Sequence, residues 1–159
     1  MLGEDELLIL SLLRNNSRMS LAEMSRATGI PTTTVFSKIK KLEEKVIRRH
    51  VSLVDFPKLN YGIKVNFVLK LEDKNNQDFL DFIKKSQNIN TFFKINNGYD
   101  YMVESIFSNM AEMAEFSESI DDFGLVEKNM YHVIEEVKKE GFMSDINRKD
   151  KENNIISKK

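Results

Sequence analysis

The chain predicts an α+β fold in two parts, an N-terminal winged helix-turn-helix followed by a C-terminal ferredoxin-like βαββαβ domain. Three observations carry this expectation. Residues 9 to 50 hold three short runs with apolar residues at helical spacing, closed by the basic Arg48-Arg49-His50. From Ile63 the apolar period changes between 2 and 3.6 in the order strand, helix, strand, strand, helix, strand. Between the two patterns lies a connection marked by Pro57 and Gly62. The expected organisation is therefore 1–55 for the helical part, 56–62 for a linker, 63–143 for the second domain and 144–159 for a flexible polar tail.

The first helix is expected from Glu4 to Asn15. Leu8, Ile9, Leu12 and Leu13 form its stripe, and Glu4, Asp5 and Glu6 sit where the helix dipole favours anions. The second opens at Ser20, with Glu23 three residues on completing a capping box, and ends at Gly29. Gly29 permits a left-handed turn, and Pro31 sits at the start of the third helix, where no amide bond is lost. That helix runs to about Lys45 and is followed by a basic strand, the wing.

Val35, Ile39, Leu42 and Val46 share one side of the third helix, which leaves Thr33, Thr34, Ser37, Lys38, Lys40, Lys41 and Glu44 on the sides and opposite face. Small hydroxyls at a helix start followed by lysines suit entry into a DNA major groove: hydroxyls reach base edges or phosphates, and lysines neutralise the backbone. The candidate contacts to double-stranded DNA are Thr32, Thr33, Thr34, Ser37, Lys38 and Lys41, with Ser20 on the preceding helix and Arg48 and Arg49 on the wing. The bland alternative is a solvated amphipathic helix. The short helix before it, the glycine turn and the basic segment after it favour DNA.

In the second domain, Ile63, Val65, Phe67, Leu69 and Leu71 alternate as one face of a strand. Phe79, Phe82 and Ile83 mark a helix over 77–86. Strands follow at 90–96 and 99–107, joined by Asn97-Gly98, a strong hairpin signal. Met110, Met113, Ala114, Ser117 and Ile120 mark the second helix, and 126–137 is expected as the last strand. With both helices on one sheet face, Val68, Phe92, Met102 and Ile106 make the other partly apolar, and a second copy of the sheet is the simplest cover.

Asn16-Ser17-Arg18-Met19-Ser20, Gly29-Ile30, Lys38-Ile39-Lys40-Lys41-Leu42-Glu43-Glu44 and Val46-Ile47 resemble the DNA-binding half of the Lrp/AsnC (feast/famine) regulators, and with the second domain the resemblance covers residues 4 to 140. It implies a sequence-specific transcriptional regulator that binds DNA as a homodimer, with tetramers or octamers as larger assemblies, and that responds to an amino acid or other small effector. The family's Gly-x-x-Asp loop corresponds to Asn97, Gly98, Tyr99 and Asp100, with Gly and Asp one residue closer than usual. Asp100 would take the effector's ammonium and the neighbouring amides its carboxylate; a tight turn with a solvated Asp100 is the competing reading. A second departure is the missing glycine after the recognition helix, where Lys45 runs directly into Val46.

Composition excludes other classes. Cysteine is absent, which removes disulfides, thiol chemistry and Cys-based zinc sites. The net charge of -1 is unevenly spread. Residues 1–55 hold 9 Lys and Arg against 7 Asp and Glu, 56–143 hold 10 against 15, and 144–159 hold 5 against 3, the pattern of a DNA-touching module attached to something else. No run approaches the ~20 apolar residues of a membrane span. The N-terminus lacks a signal peptide's pattern, so a cytoplasmic location is expected.

No cofactor, metal or catalytic residue is expected. His50 and His132 lack ligand spacing, Asp121-Asp122 and Glu135-Glu136 read as solvated charge, and Met110, Met113 and Met130 as core filler. Two rivals remain. Siroheme decarboxylases resemble the same family but use histidines and an Arg-Tyr cluster after the second sheet strand, where this chain has Phe92-Phe93-Lys94-Ile95-Asn96-Asn97. The other is a DNA-silent, metabolite-binding partner subunit.

Overall fold

Helices α1 (Glu4–Asn15), α2 (Leu21–Thr28) and α3 (Thr32–Lys45) form at the expected positions in a computed structural model that describes residues 2–144. Ile9, Leu12 and Leu13 of α1, Met24 of α2, and Val35 and Leu42 of α3 make one buried cluster. The helix starts are set by side chains. In α1 the Glu6 carboxylate accepts the Gly3 amide at 2.8 Å. In α2 the Ser20 hydroxyl accepts the Glu23 amide while Glu23 accepts the Ser20 amide at 2.8 Å, the reciprocal box expected from the sequence. Gly29 has φ 73°, the left-handed turn that separates α2 from α3.

The end of α3 needs no glycine. The Leu42 carbonyl accepts from both Val46 and Ile47, each at 2.8 Å, and no residue from 45 to 47 has positive φ. Beyond it the expected basic strand does not form: residues 46–55 contain no β-structure. A strand requires a neighbour to exchange amide and carbonyl bonds, and the single sheet among the described residues holds only β1 to β4. A segment returning from Val137 groups with this first unit, Met1–Ser52. The Arg14 guanidinium holds it, donating to the carbonyls of Glu140 (3.0 Å) and Phe142 (3.1 Å) and to the Glu140 carboxylate (2.9 Å).

The second unit, Leu53–Glu136, begins with a 3-10 turn at Phe56–Leu59. It continues through β1 (Ile63–Leu71), α4 (Gln77–Lys85), β2 (Ile89–Lys94), β3 (Tyr101–Phe107), α5 (Met110–Asp121) and β4 (Leu125–His132). The sheet order is β2-β3-β1-β4 with every pair antiparallel, the ferredoxin-like arrangement. Val65, Phe67, Leu69 and Leu71 of β1 and Tyr101, Val103 and Phe107 of β3 point to one face and meet Phe79 and Ile83 of α4 and Met113, Phe116 and Ile120 of α5. Asn76 and Asn109 cap the two helices through their side-chain oxygens.

Three details differ from expectation. Phe92 faces the core and not the outer side: Lys94 lies opposite Tyr101, so Phe92 falls opposite Val103, and its ring stacks on Tyr101 at 5.1 Å. Phe93, opposite Met102, takes the outer position on the same side as Val68, whose own partner is Met102. The last strand stops at His132 and does not reach 137, because its partner runs out: the Lys64 carbonyl accepts the Val133 amide, and β1 begins at Ile63. His132 therefore ends the strand, where a mid-strand position was expected. The Asn97-Gly98 turn is also wider than a two-residue hairpin, since residues 95–100 join β2 to β3 and the Ile95 amide donates to the Asp100 carbonyl at 2.9 Å. Of the expected polar tail, residues 145–159 lie outside the described residues.

Candidate nucleic-acid interface and effector loop

The turn at Gly29 and the burial of Val35 and Leu42 fix which side of α3 looks outward. Thr32, Thr33, Thr34 and Ser37 are exposed at its N-terminal half. Pro31 precedes the helix in extended geometry and its carbonyl accepts the Val35 amide at 2.9 Å. The first-turn amides lie beyond the intrahelical ladder and suit a phosphate oxygen. The Ser37 hydroxyl donates to the Thr33 carbonyl at 3.0 Å, so its lone pairs are what it can offer an incoming base. Lys40 is exposed one turn after Phe36, with Nζ 5.4 Å from the ring centroid.

Two further lysines of α3 are engaged within the unit. Lys38 lies 3.4 Å from the Asp5 carboxylate, and Lys41 lies 2.5 Å from that of Glu6. Lys41, followed by the Gly3 amide, holds the Glu6 carboxyl below its ordinary range. Ser20 is spent on its capping box and holds the Glu23 carboxyl low in the same way. Arg48 and Arg49 are exposed and make no ion pair among the described residues, whereas His50 meets the Glu43 carboxylate at 3.1 Å. Among the described residues, the exposed cationic groups of α3 and the segment after it that make no ion pair are thus Lys40, Lys45, Arg48 and Arg49. Lys40 and Phe36 are not among the contacts expected from the sequence, although their i, i+4 spacing pairs them on one face.

The Lys41–Glu6 pair leads to a stability prediction. Glu6 has a 6% exposed side chain, so Lys41→Ala leaves a nearly buried carboxylate without its cation. A carboxyl held low by folding adds stability above its unfolded pKa and loses it as pH falls through the folded value. The wild type should therefore lose stability on acidification below the ordinary carboxylate range, and Lys41→Ala should melt earlier at pH 7 with a flatter acid decline. Circular-dichroism melts at pH 7 and pH 3 test this. Parallel pH curves would refute the pairing.

In the second unit, Asn97 (φ 66°) and Gly98 (φ 90°) form the exposed tip of the β2–β3 connection. Asp100 turns back to the sheet. Its carboxylate accepts the Leu71 amide at 3.0 Å and its own amide donates to the Leu69 carbonyl at 2.9 Å. Tyr99 donates its hydroxyl to Glu127 at 2.6 Å and accepts from the Asn129 side chain at 2.8 Å. This bond raises the Tyr99 pKa and lowers that of Glu127. The sequence reading missed Glu127 and Asn129. Their shared phase on β4 would have put them on the outer face together. Among the described residues no group of His, Asp and Glu could hold a metal ion, and no helix is long and apolar enough to cross a membrane.

Residues 6–45 match the family described as winged helix-turn-helix DNA-binding. The chain is similar to an HTH-type transcriptional regulator of Pyrococcus abyssi, 28% identical over 143 residues, or 89% of this chain and 97% of that protein. Its fold matches that of a transcriptional regulator from Neisseria meningitidis solved in complex with L-Met, with TM-score 0.80 at 19% identity over 87% of this chain and 94% of the other. It also matches an AsnC family transcriptional regulator from Agrobacterium tumefaciens, with TM-score 0.78 at 21% identity over 87% and 94% of the two chains.

Proposed function

We propose that this chain, a transcriptional regulator of the Lrp/AsnC type, binds a two-fold operator as a homodimer or a multiple of it, setting paired α3 helices in the major groove. The observation that carries the reading is the outward face of α3, where Thr33, Ser37 and Lys40 stand clear of the core directly after the Gly29 turn. Thr32 and Thr34 lie at the same helix start, and Arg48 and Arg49 give sequence-independent contact to the sugar-phosphate backbone. Lys38, Lys41 and Ser20 act chiefly by fixing the helices that present these groups.

Self-association is supported by the outer sheet face, where Val68, Met102 and Phe93 adjoin, the last 49% exposed. A second sheet would remove this apolar surface from water. An amino acid at Asn97, Gly98, Tyr99 and Asp100 is the effector of the reading, and the Neisseria relative's complex with L-Met supports it. The chain acts in the cytoplasm, without catalysis, by occupying promoters.

The test is selection of duplexes from a randomised library with the full chain, joined to light scattering at micromolar concentration. The expected result is a palindromic consensus bound by a dimer or its multiple. Arg48→Ala with Arg49→Ala should weaken all duplexes alike, and Thr33→Ala or Ser37→Ala should change the consensus. A monomer that retains no duplex would sink the reading.

A further inference from the structure

Phe36 does not fit the surface it sits on. Its neighbours on the outward side of α3, Thr33, Ser37 and Lys40, are polar, yet its side chain belongs to a residue 49% exposed. Core packing does not account for it: the buried cluster of the three helices is built from Ile9, Leu12, Leu13, Met24, Val35 and Leu42. Among the described residues its one ring partner is a cation, the Lys40 ammonium 5.4 Å from the centroid. The result is an apolar plate and an ammonium side by side, one helical turn apart, on the face that carries hydroxyls.

A duplex major groove offers one apolar group along its floor, the C5-methyl of thymine, and it lies among acceptor atoms: thymine O4 and the O6 and N7 of guanine. Phe36 and Lys40 are the chemical complement of that pair. We propose that Phe36 is a sequence-reading residue whose ring packs against a thymine C5-methyl in each half-site, while Lys40 meets the acceptor atoms beside that methyl. The inference rests on α3 being the DNA-contacting helix, and it adds what that helix selects. The Thr33 hydroxyl and the Ser37 oxygen can each suit more than one base, whereas a phenyl ring gains only where a methyl replaces water. The operator should therefore contain a thymine at a fixed distance from its two-fold axis.

The experiment uses the full chain and a duplex selected by it from a randomised library. Each thymine is replaced in turn by deoxyuridine, in both half-sites, which deletes the methyl and leaves pairing and O4 unchanged. At one position the wild-type Kd should rise about four-fold per half-site, the value of one buried methyl-sized group. Phe36→Ala should bind more weakly and no longer distinguish thymine from deoxyuridine there, and Phe36→Leu should keep part of the distinction. A wild type indifferent to every replacement overturns the proposal, as does Phe36→Ala retaining the full penalty. A change in oligomer mass for Phe36→Ala with the penalty intact assigns the ring to a protein contact and also overturns it. Failure of wild type to bind any duplex is a different outcome, because then the DNA reading of α3 itself is lost.

Discussion

Raising monovalent salt from about 50 to 200 mM is expected to weaken duplex binding about a thousand-fold, the loss typical of about six cations brought against the duplex. Each subunit offers the exposed Arg48 and Arg49 to phosphates and the exposed Lys40 to the groove, where its charge also displaces counterions, and two subunits double that set of three. Lys38 and Lys41 should add little to the slope because their ammonium groups already face Asp5 and Glu6. Replacing Arg48 and Arg49 together in both subunits should flatten the log-log slope by about 3.6, at about 0.9 per contact. Lys38→Ala should leave the slope nearly unchanged. Fluorescence-anisotropy titrations across a salt series measure this directly, and a wild-type slope shallower than about −2 would contradict an interface built on these groups.

Phe67→Ala is expected to destabilise the second unit by about 3–5 kcal/mol, the usual range for deleting a fully buried aromatic ring. Phe67 is 0% exposed on β1, one of the two strands hydrogen-bonded on both sides, and its ring lies 5.5 Å from Phe116 and 6.5 Å from Phe107. Its loss opens a cavity between sheet and α5 that neither neighbour can fill without leaving its own ring contacts. Phe93→Ala is the control: the residue stands on the opposite side of the sheet, half exposed, and its removal should affect self-association more than folding. Urea unfolding read by circular dichroism separates the two. A Phe67→Ala cost under about 1 kcal/mol would mean that the core of this unit is not centred on β1.

The helical unit was legible because each of its boundaries is a local event. Ser20 and Glu23 cap each other within one turn, and Gly29 supplies a backbone conformation that few other residues adopt. The strand order was legible for a related reason, since the period of β1 fixes its inner face without reference to a partner. What failed depends on pairing. Whether Phe92 or Phe93 faces inward is decided by the register of β2 on β3, and the end of β4 by where β1 begins. The absent strand after α3 is the same case. In the candidate interface, hydroxyls and charges could be assigned to a face from periodicity, but no period reveals that Lys38 and Lys41 are held by acids some 35 residues away in sequence, as Lys41 is by Glu6. Asp100 likewise spends its carboxylate on the Leu71 amide, a bond that joins two strands and has no local signature.

The Arg14 clamp on Glu140 and Phe142 has a consequence for how the molecule is made. The residues joined by the carbonyl bond to Glu140 are 126 apart in sequence, so at ordinary elongation rates Arg14 leaves the ribosome about 6 to 25 s before its partner. Through that interval α1 to α3 can pack around Ile9, Met24 and Leu42 with the guanidinium in water, and the whole of β1 to β4 is synthesised before the clamp can close. The module that emerges first is thus the one finished last, and its completion reports that the intervening sheet has been delivered in full.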